Sequence, residues 1–260
     1  MKNKNSYIAL LLVFVLGSCV NSEEYKKVKE EFRDVEFSGG VKDFDSIYAT
    51  IPDYSKISAT INKLHLGFSS DNLLDPNMVE NYFDSKQTAI ALGMYIADLG
   101  YVRHFERVQF CRDYLEAVKT LSGKLAIGEK EFSEAVPLIE SSLNDREVLF
   151  TVIDSLIAKG DILLAENEKF GIGALFLAGF WVETTYLGLS SQQNPDTSFI
   201  YPILASHFEI LEQINDLFLC LNDDSDINDI KTSLKQIENE GICNNELLKD
   251  IATIRNRYKK

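Results

Sequence analysis

GIGALFLAGFWVETTYLGL, residues 171–189, is the most apolar stretch of the chain outside its N-terminus. It nevertheless holds one acid, Glu183, and the only tryptophan, Trp181. At about 100° per residue its apolar side chains surround a helix instead of lining one face. Two settings tolerate that pattern: a membrane span or the centre of a bundle. The length suits a span, for which about 20 apolar residues suffice. Against a span stand Glu183, Thr184 and Thr185 in succession, four glycines, and Lys169 as the only nearby base. An ionisable group alone in lipid is costly and spans are flanked by basic residues, so the stretch reads as the central helix of a soluble bundle.

Working outward, TAIALGMYIADLGYVRH (88–104) has the same character. Ala89, Leu92, Ile96 and Leu99 line one face, while Asp98 lies opposite, between Met94, Tyr101, Val102 and Phe105. Asp84 and Gln87, three apart, supply a helix start. Asp75-Pro76 supplies an N-cap and first-turn proline for a short helix through Phe83. The other segments are two-faced, as outer helices should be. Val108, Cys111, Leu115 and Val118 form one stripe, adjoined by Phe110, Tyr114, Ala117 and Leu121. Further stripes are Ile57, Ile61 and Leu64 after Pro52, and Phe132, Val136, Ile139 and Leu143 around Pro137. Asn144 and Glu147 then cap a helix carrying Leu149, Ile153, Leu156 and Leu163. A helix over 199–221 repeats Ile210, Ile214, Leu217 and Leu221, and an acidic turn follows at 222–226. Ile227, Ile230, Leu234 and Ile237, then Leu247, Ile251, Ile254 and Tyr258, close the chain as a hairpin around Gly241. No alternating strand pattern occurs. The expected fold is all-α: a helical bundle or a short array of helical hairpins.

The N-terminus has its own logic. Lys2 and Lys4 precede an apolar run over 7–16, which ends in Leu16-Gly17-Ser18-Cys19. Basic, apolar and small residues in that order form a secretory signal. The last four resemble the lipobox of bacterial lipoproteins, in which the cysteine becomes the first residue of the mature chain and is diacylated; Cys19 is the expected lipidation site. This divides the chain into a signal (1–18), a tether with a charged helix (19–40, including EEYKKVKEEFRDVE) and one helical domain (41–260). Removing the signal takes away two lysines and no acid, moving the net charge from −14 to −16. So acidic a chain excludes nucleic acid as a partner. Cys111, Cys220 and Cys243 then remain, an odd set without zinc spacing. Export leaves a Cys220–Cys243 bridge open, while Cys111 sits in an apolar stripe as a buried thiol.

The two central segments resemble each other. Gly93-Met94-Tyr95-Ile96 aligns with Gly179-Phe180-Trp181-Val182, each followed by an acid. The next helices match through Tyr114-Leu115-Glu116 and Ile210-Leu211-Glu212, at offsets of 86 and 96 residues. Two pseudo-repeated hairpins would account for this, and a 34-residue tetratricopeptide period is missing. ALGMYIADLGY, QFCRDYLEAVKTLSGKLAI and LAGFWVETTYLGL resemble a group of uncharacterised helical lipoproteins of the Bacteroidetes envelope. That group carries a Gly-x-Tyr-x-x-Asp-Leu segment, here Gly93, Tyr95, Asp98 and Leu99. It also carries a Gly-Trp-x-Glu segment, here departing to Gly179-Phe180-Trp181-Val182-Glu183. The resemblance spans roughly residues 60–190 and the signal. It implies a lipidated all-α domain without an established activity. Glu23 and Glu24 resemble the surface-export signals of such bacteria but stand three residues further from Cys19, which leaves the membrane face open.

Asp98 and Glu183 are the candidate chemistry. A carboxylate in an apolar bundle must be protonated, paired or hydrogen-bonded. Arg103, His104, Arg107, Tyr95, Tyr101 and Tyr186 are within sequence reach. One reading makes the acids polar anchors of an aromatic binding pocket formed by Tyr95, Asp98, Arg103, Trp181, Glu183 and Tyr186. The other makes them structural ties between helices. No metal or cofactor is expected: the residues three before His65, His104 and His207 are Asn62, Tyr101 and Leu204, so Glu-x-x-His is absent. HExxH, GxSxG, the P-loop and GxGxxG are absent too. Gly171-x-Gly173 lacks a preceding strand, and Met94, Phe105 and Phe176 read as core. The expectation is a lipid-anchored envelope protein, outer membrane on either face, with a non-catalytic binding or scaffold role toward an envelope protein or small ligand. The competing expectation is an envelope hydrolase using Asp98 and Glu183 as an acid/base pair.

Overall fold

The computed structural model describes residues 35–38, 67–128, 145–158, 169–191, 201–222, 224–242 and 246–260, with a few isolated positions between 129 and 144. They belong to one compact unit, Asp34–Lys260. The helices are α1 (Ser85–His104), α2 (Val108–Lys124), α3 (Arg146–Ala158), α4 (Phe170–Ser190), α5 (Tyr201–Leu219), α6 (Ser225–Glu240) and α7 (Leu247–Tyr258). Short 3-10 turns at Ser70–Asn72 and Pro76–Asn81 precede α1. Among the described residues the fold is all-α, and the single extended pairing is a bridge between Phe37 and Leu221.

α4 is the axis. It lies along α1 and also packs on α5 and α7, while α2 and α3 cover α1, and α6 joins α5 to α7. The α1–α4 seam is a backbone-to-backbone contact. A Cβ on Gly93 would lie 2.0 Å from the Phe176 carbonyl oxygen, and one on Gly179 would lie 2.0 Å from that of Ile90. Each glycine meets the residue three before the other, so the crossing is reciprocal. This pseudo-twofold contact rests on the same two glycines that align in sequence. α4 is long and apolar enough to cross a membrane, but in this fold α1, α5 and α7 enclose it.

Helix starts follow local chemistry. Asp84 accepts from the Gln87 amide at 2.8 Å and starts α1 three residues earlier than the pattern implied. Asp75 accepts from the Asn77 amide, but its short helix is 3-10 and ends at Asn81. The cap of α3 is Asp145, which accepts from the amides of Glu147 and Val148, not the expected Asn144. Asp224 caps α6 and pairs with Lys86 at 2.7 Å, tying that cap to the first turn of α1. Gly241 ends α6 at φ +73°, a conformation open to glycine.

Val35 and Glu36, expected at the end of the charged helix, are in no helix and lie inside the compact unit. The Ser38 amide donates to the Cys220 carbonyl at 2.7 Å, and the Phe37 ring meets Phe170. Residues 35–38 thus belong to the same compact unit as the helices. The signal, Cys19, the stripes at 57–64 and 132–143, and Leu163 lie outside the described residues, as does Cys243. Cys220 is a free thiol, and Cys111 is free and buried.

Candidate functional site

Residues 67–83 form a strap across α1, α2 and α7, and the polar side chains of the central helices serve it. Strap backbone laid on an apolar bundle has N–H and C=O groups that water cannot reach, so the bundle must supply their partners. Tyr101 on α1 donates to the Gly67 carbonyl at 2.8 Å and accepts from the Ser69 amide at 3.0 Å. Asp98 Oδ2 accepts from the Leu74 amide at 3.0 Å, and Tyr114 on α2 donates to the Leu74 carbonyl. Tyr95 donates to the Asp75 carbonyl at 2.7 Å. Lys124 reaches the carbonyls of Val79 and Tyr82, and the Tyr82 hydroxyl donates to the Tyr258 carbonyl on α7.

The two candidate acids meet beneath this strap. Both are fully buried. Arg255, from α7, grips Glu183 with both arms of its fork: Nε to Oε2 at 2.7 Å and Nη2 to Oε1 at 2.8 Å. The same Nη2 donates to the Asn72 carbonyl at 2.8 Å, so Arg255 also holds the strap. Its guanidinium stacks on the Tyr186 ring, 4.1 Å from the centroid. The Asp98 and Glu183 carboxyls stand within hydrogen-bonding reach of each other, and Asp98 Oδ1 is buried and accepts no hydrogen bond.

Burial pushes the Asp98 carboxyl well above the usual carboxylate range, and the neighbouring Glu183 charge adds to the effect. Burial also raises Glu183, with Arg255 pulling in the opposite direction. Arg255 is held above its ordinary value by Glu183 in spite of its own burial. Burial pushes the Tyr82 hydroxyl up to about 12 and raises those of Tyr95 and Tyr114 as well. These hydroxyls are neutral donors, not bases. The Cys111 thiol is likewise pushed up to about 12 by burial, which leaves it unreactive at neutral pH. The imidazole of His207 is pushed down to about 4 by burial, so it is uncharged.

Of the six residues expected to line one pocket, four come together and two turn elsewhere. Asp98, Glu183, Tyr95 and Tyr186 gather around the strap, but as a closed polar core. Trp181 faces α5, where its Nε1 donates to the His207 carbonyl at 2.7 Å and its ring meets Phe208 edge-on. Arg103 turns to α3, pairing with both oxygens of Asp154 at 3.1 and 2.9 Å and stacking on Phe150. Arg107 lies over the Phe68 ring and His104 against Phe105, neither at the acids. At Gly171 a Cβ would lie 2.2 Å from the Val35 carbonyl oxygen. Val35 is thus packed against the first turn of α4. Among the described residues no group of three His, Cys, Asp or Glu side chains is placed to hold a metal.

Arg255 is the residue that sequence reasoning missed. Its signal is present: it stands four after Ile251 and three before Tyr258, a charge on the apolar seam of α7. A charge there must find a buried partner. No protein-family model, curated protein or solved structure matches the chain.

Proposed function

We propose that this is a lipid-anchored protein of the bacterial cell envelope whose helical domain binds a protein or small ligand, or acts as a scaffold, without catalysing a reaction. The observation that carries the anchor is Leu16-Gly17-Ser18-Cys19 at the end of a basic-then-apolar leader. Diacylated Cys19 would bring two or more acyl chains, and each buried methylene contributes about 0.8 kcal/mol to membrane binding. The resemblance to helical Bacteroidetes lipoproteins points to the outer membrane. The non-catalytic role is supported by the state of the two acids. An acid/base pair must reach a substrate proton, whereas Glu183 faces Arg255 with both oxygens and neither acid has exposed surface.

Detergent phase partitioning of the full chain tests the anchor. Wild-type protein should enter the detergent phase with an acyl mass on the Cys19 peptide, and Cys19→Ser should move to the aqueous phase. A wild-type N-terminal peptide without acyl mass would sink the anchor. Native purification tests the role: a stoichiometric partner or ligand supports binding, and a clean monomer that carries neither counts against it.

A further inference from the structure

Two buried carboxyls and one guanidinium meet at the centre of the strap's attachment, and their hydrogen bonds do not close unless a proton is added. Arg255 directs Nε and Nη2 to Glu183 and Nη2 also to the Asn72 carbonyl, and none of these bonds reaches Asp98. Asp98 Oδ2 is occupied by the Leu74 amide. Asp98 Oδ1 is buried, receives nothing, and has the Glu183 carboxylate as its polar neighbour. Two carboxylates at hydrogen-bonding range repel, whereas a carboxyl and a carboxylate form a short, charge-assisted bond. One proton resolves the arrangement, and the geometry says which acid carries it. Glu183 already accepts two N–H donors on its two oxygens, so the proton belongs on Asp98.

We propose that Asp98 is a protonated carboxyl in the folded protein at neutral pH, that it donates this proton to Glu183, and that the bond acts as a proton-dependent latch on the 67–83 strap. The latch joins four elements through one proton: the strap at Leu74 and Asn72, α1 at Asp98, α4 at Glu183 and α7 at Arg255. The other titratable groups around it do not compete for the role. Tyr95 on α1 and Tyr114 on α2 are neutral donors to strap carbonyls, Tyr82 lies beyond Tyr95, and Asp75 and Lys259 sit further out. Burial and the Glu183 charge raise the carboxyl, in agreement with the hydrogen-bond count.

The direction of the response follows. An unfolded aspartate loses its proton near pH 4, whereas folded Asp98 keeps it to higher pH. The folded state therefore binds the extra proton, and the latch weakens as pH rises above about 4 until Asp98 ionises in place. Each pH unit in that window multiplies the opened population by at most about tenfold. Once Asp98 is ionised, one guanidinium faces two carboxylates in a dry core. Lifting the strap hydrates the surplus charge.

Two measurements on the full chain in detergent decide this. In the first, the aspartate side-chain carboxyl carbons of wild-type protein are followed by NMR against pH. Asp98 should stay in the protonated position through the range where the other aspartates titrate; titration along with them would overturn the proposal. The second is hydrogen exchange at the Leu74 amide, corrected for intrinsic rates, in wild type and Asp98→Asn. Asparagine keeps the acceptor for Leu74 and a donor for Glu183 but has no proton to lose. Opening at Leu74 should rise with pH in wild type and stay flat in D98N; equal slopes would show that no proton on Asp98 holds the strap. Because the carboxyl titration is read on wild type, it decides even if D98N is too unstable to study.

Discussion

The central helices α1 and α4 and the outer helix α6 use polar side chains in opposite ways. On α6 the polar residues face water: Lys235 and Glu238 pair at 2.7 Å on a side that solvent reaches, and only Ile227, Ile230, Leu234 and Ile237 are buried. On α1 and α4 no residue is fully exposed, and the polar side chains near their middles, Asp98, Tyr95, Tyr101 and Glu183, have partners inside the protein. A polar group in a helix that is apolar all round marks where another piece of chain must come to meet it. Here that piece is the strap, whose backbone needs those partners as much as they need it.

The contrast is broken most severely at Arg255. Replacing it with Met keeps the volume but leaves the Glu183 carboxylate buried without its cation. The Asn72 carbonyl also loses its donor. Losing one partner of a buried pair costs about 3–5 kcal/mol, and denaturant unfolding should show a loss of that size. Glu183→Gln should lose a comparable amount by stranding the guanidinium. The double variant Glu183→Leu with Arg255→Met should recover much of either loss, because a packed apolar pair is often no worse than a buried ion pair. If the double variant falls by the sum of the single losses, the two residues are not acting on each other.

Gly93→Ala tests the seam that makes α1 and α4 central. Its methyl would collide with the Phe176 carbonyl oxygen at 2.0 Å and the Phe180 amide nitrogen at 2.6 Å. Neither is the tip of a flexible side chain, so the helices must move apart. The cost should reach about 3 kcal/mol, the upper end for overpacking. Gly123→Ala is the control, since nothing lies within 4 Å of a Cβ there. It should be neutral or slightly stabilising, as alanine favours helix over glycine by about 1 kcal/mol. Equal thermal midpoints for the two variants would refute the close crossing.

The same contrast explains which parts could be read from sequence. α1 and α4 announced their central position because apolar residues ran all round them, and α2, α6 and α7 announced their buried faces through helical stripes. Asp98 and Glu183 stood out because an acid in such surroundings is anomalous, and they do converge. Their partner could not be chosen from neighbours in sequence. Arg103 is five residues from Asp98 but points to α3, while Arg255 arrives from 72 residues beyond Glu183. Asp75-Pro76 announced the short turn within the strap, but the strap's attachment left no pattern, because it binds through backbone groups that every sequence carries. Tyr114 was hidden for a related reason: in a stripe it counts as apolar, and its hydroxyl matters once Leu74 is above it.

The smallest effect falls on the surface counterpart of the buried pair. Lys235 lies one turn from Glu238, with its side chain more than half exposed. Glu238 has a second partner, the Asn215 amide from α5 at 2.6 Å, so it is not stranded when Lys235 is removed. Lys235→Met therefore takes away an ion pair of the same charge type as Arg255–Glu183 and similar length, but in water. Exposed pairs contribute about 0.2–1 kcal/mol at most, and salt screens them. The loss should be below about 0.5 kcal/mol and vanish in high salt, whereas the Arg255→Met loss should persist there. Should the two variants lose similar stability, or respond alike to salt, burial would not be what separates the centre of this fold from its rim.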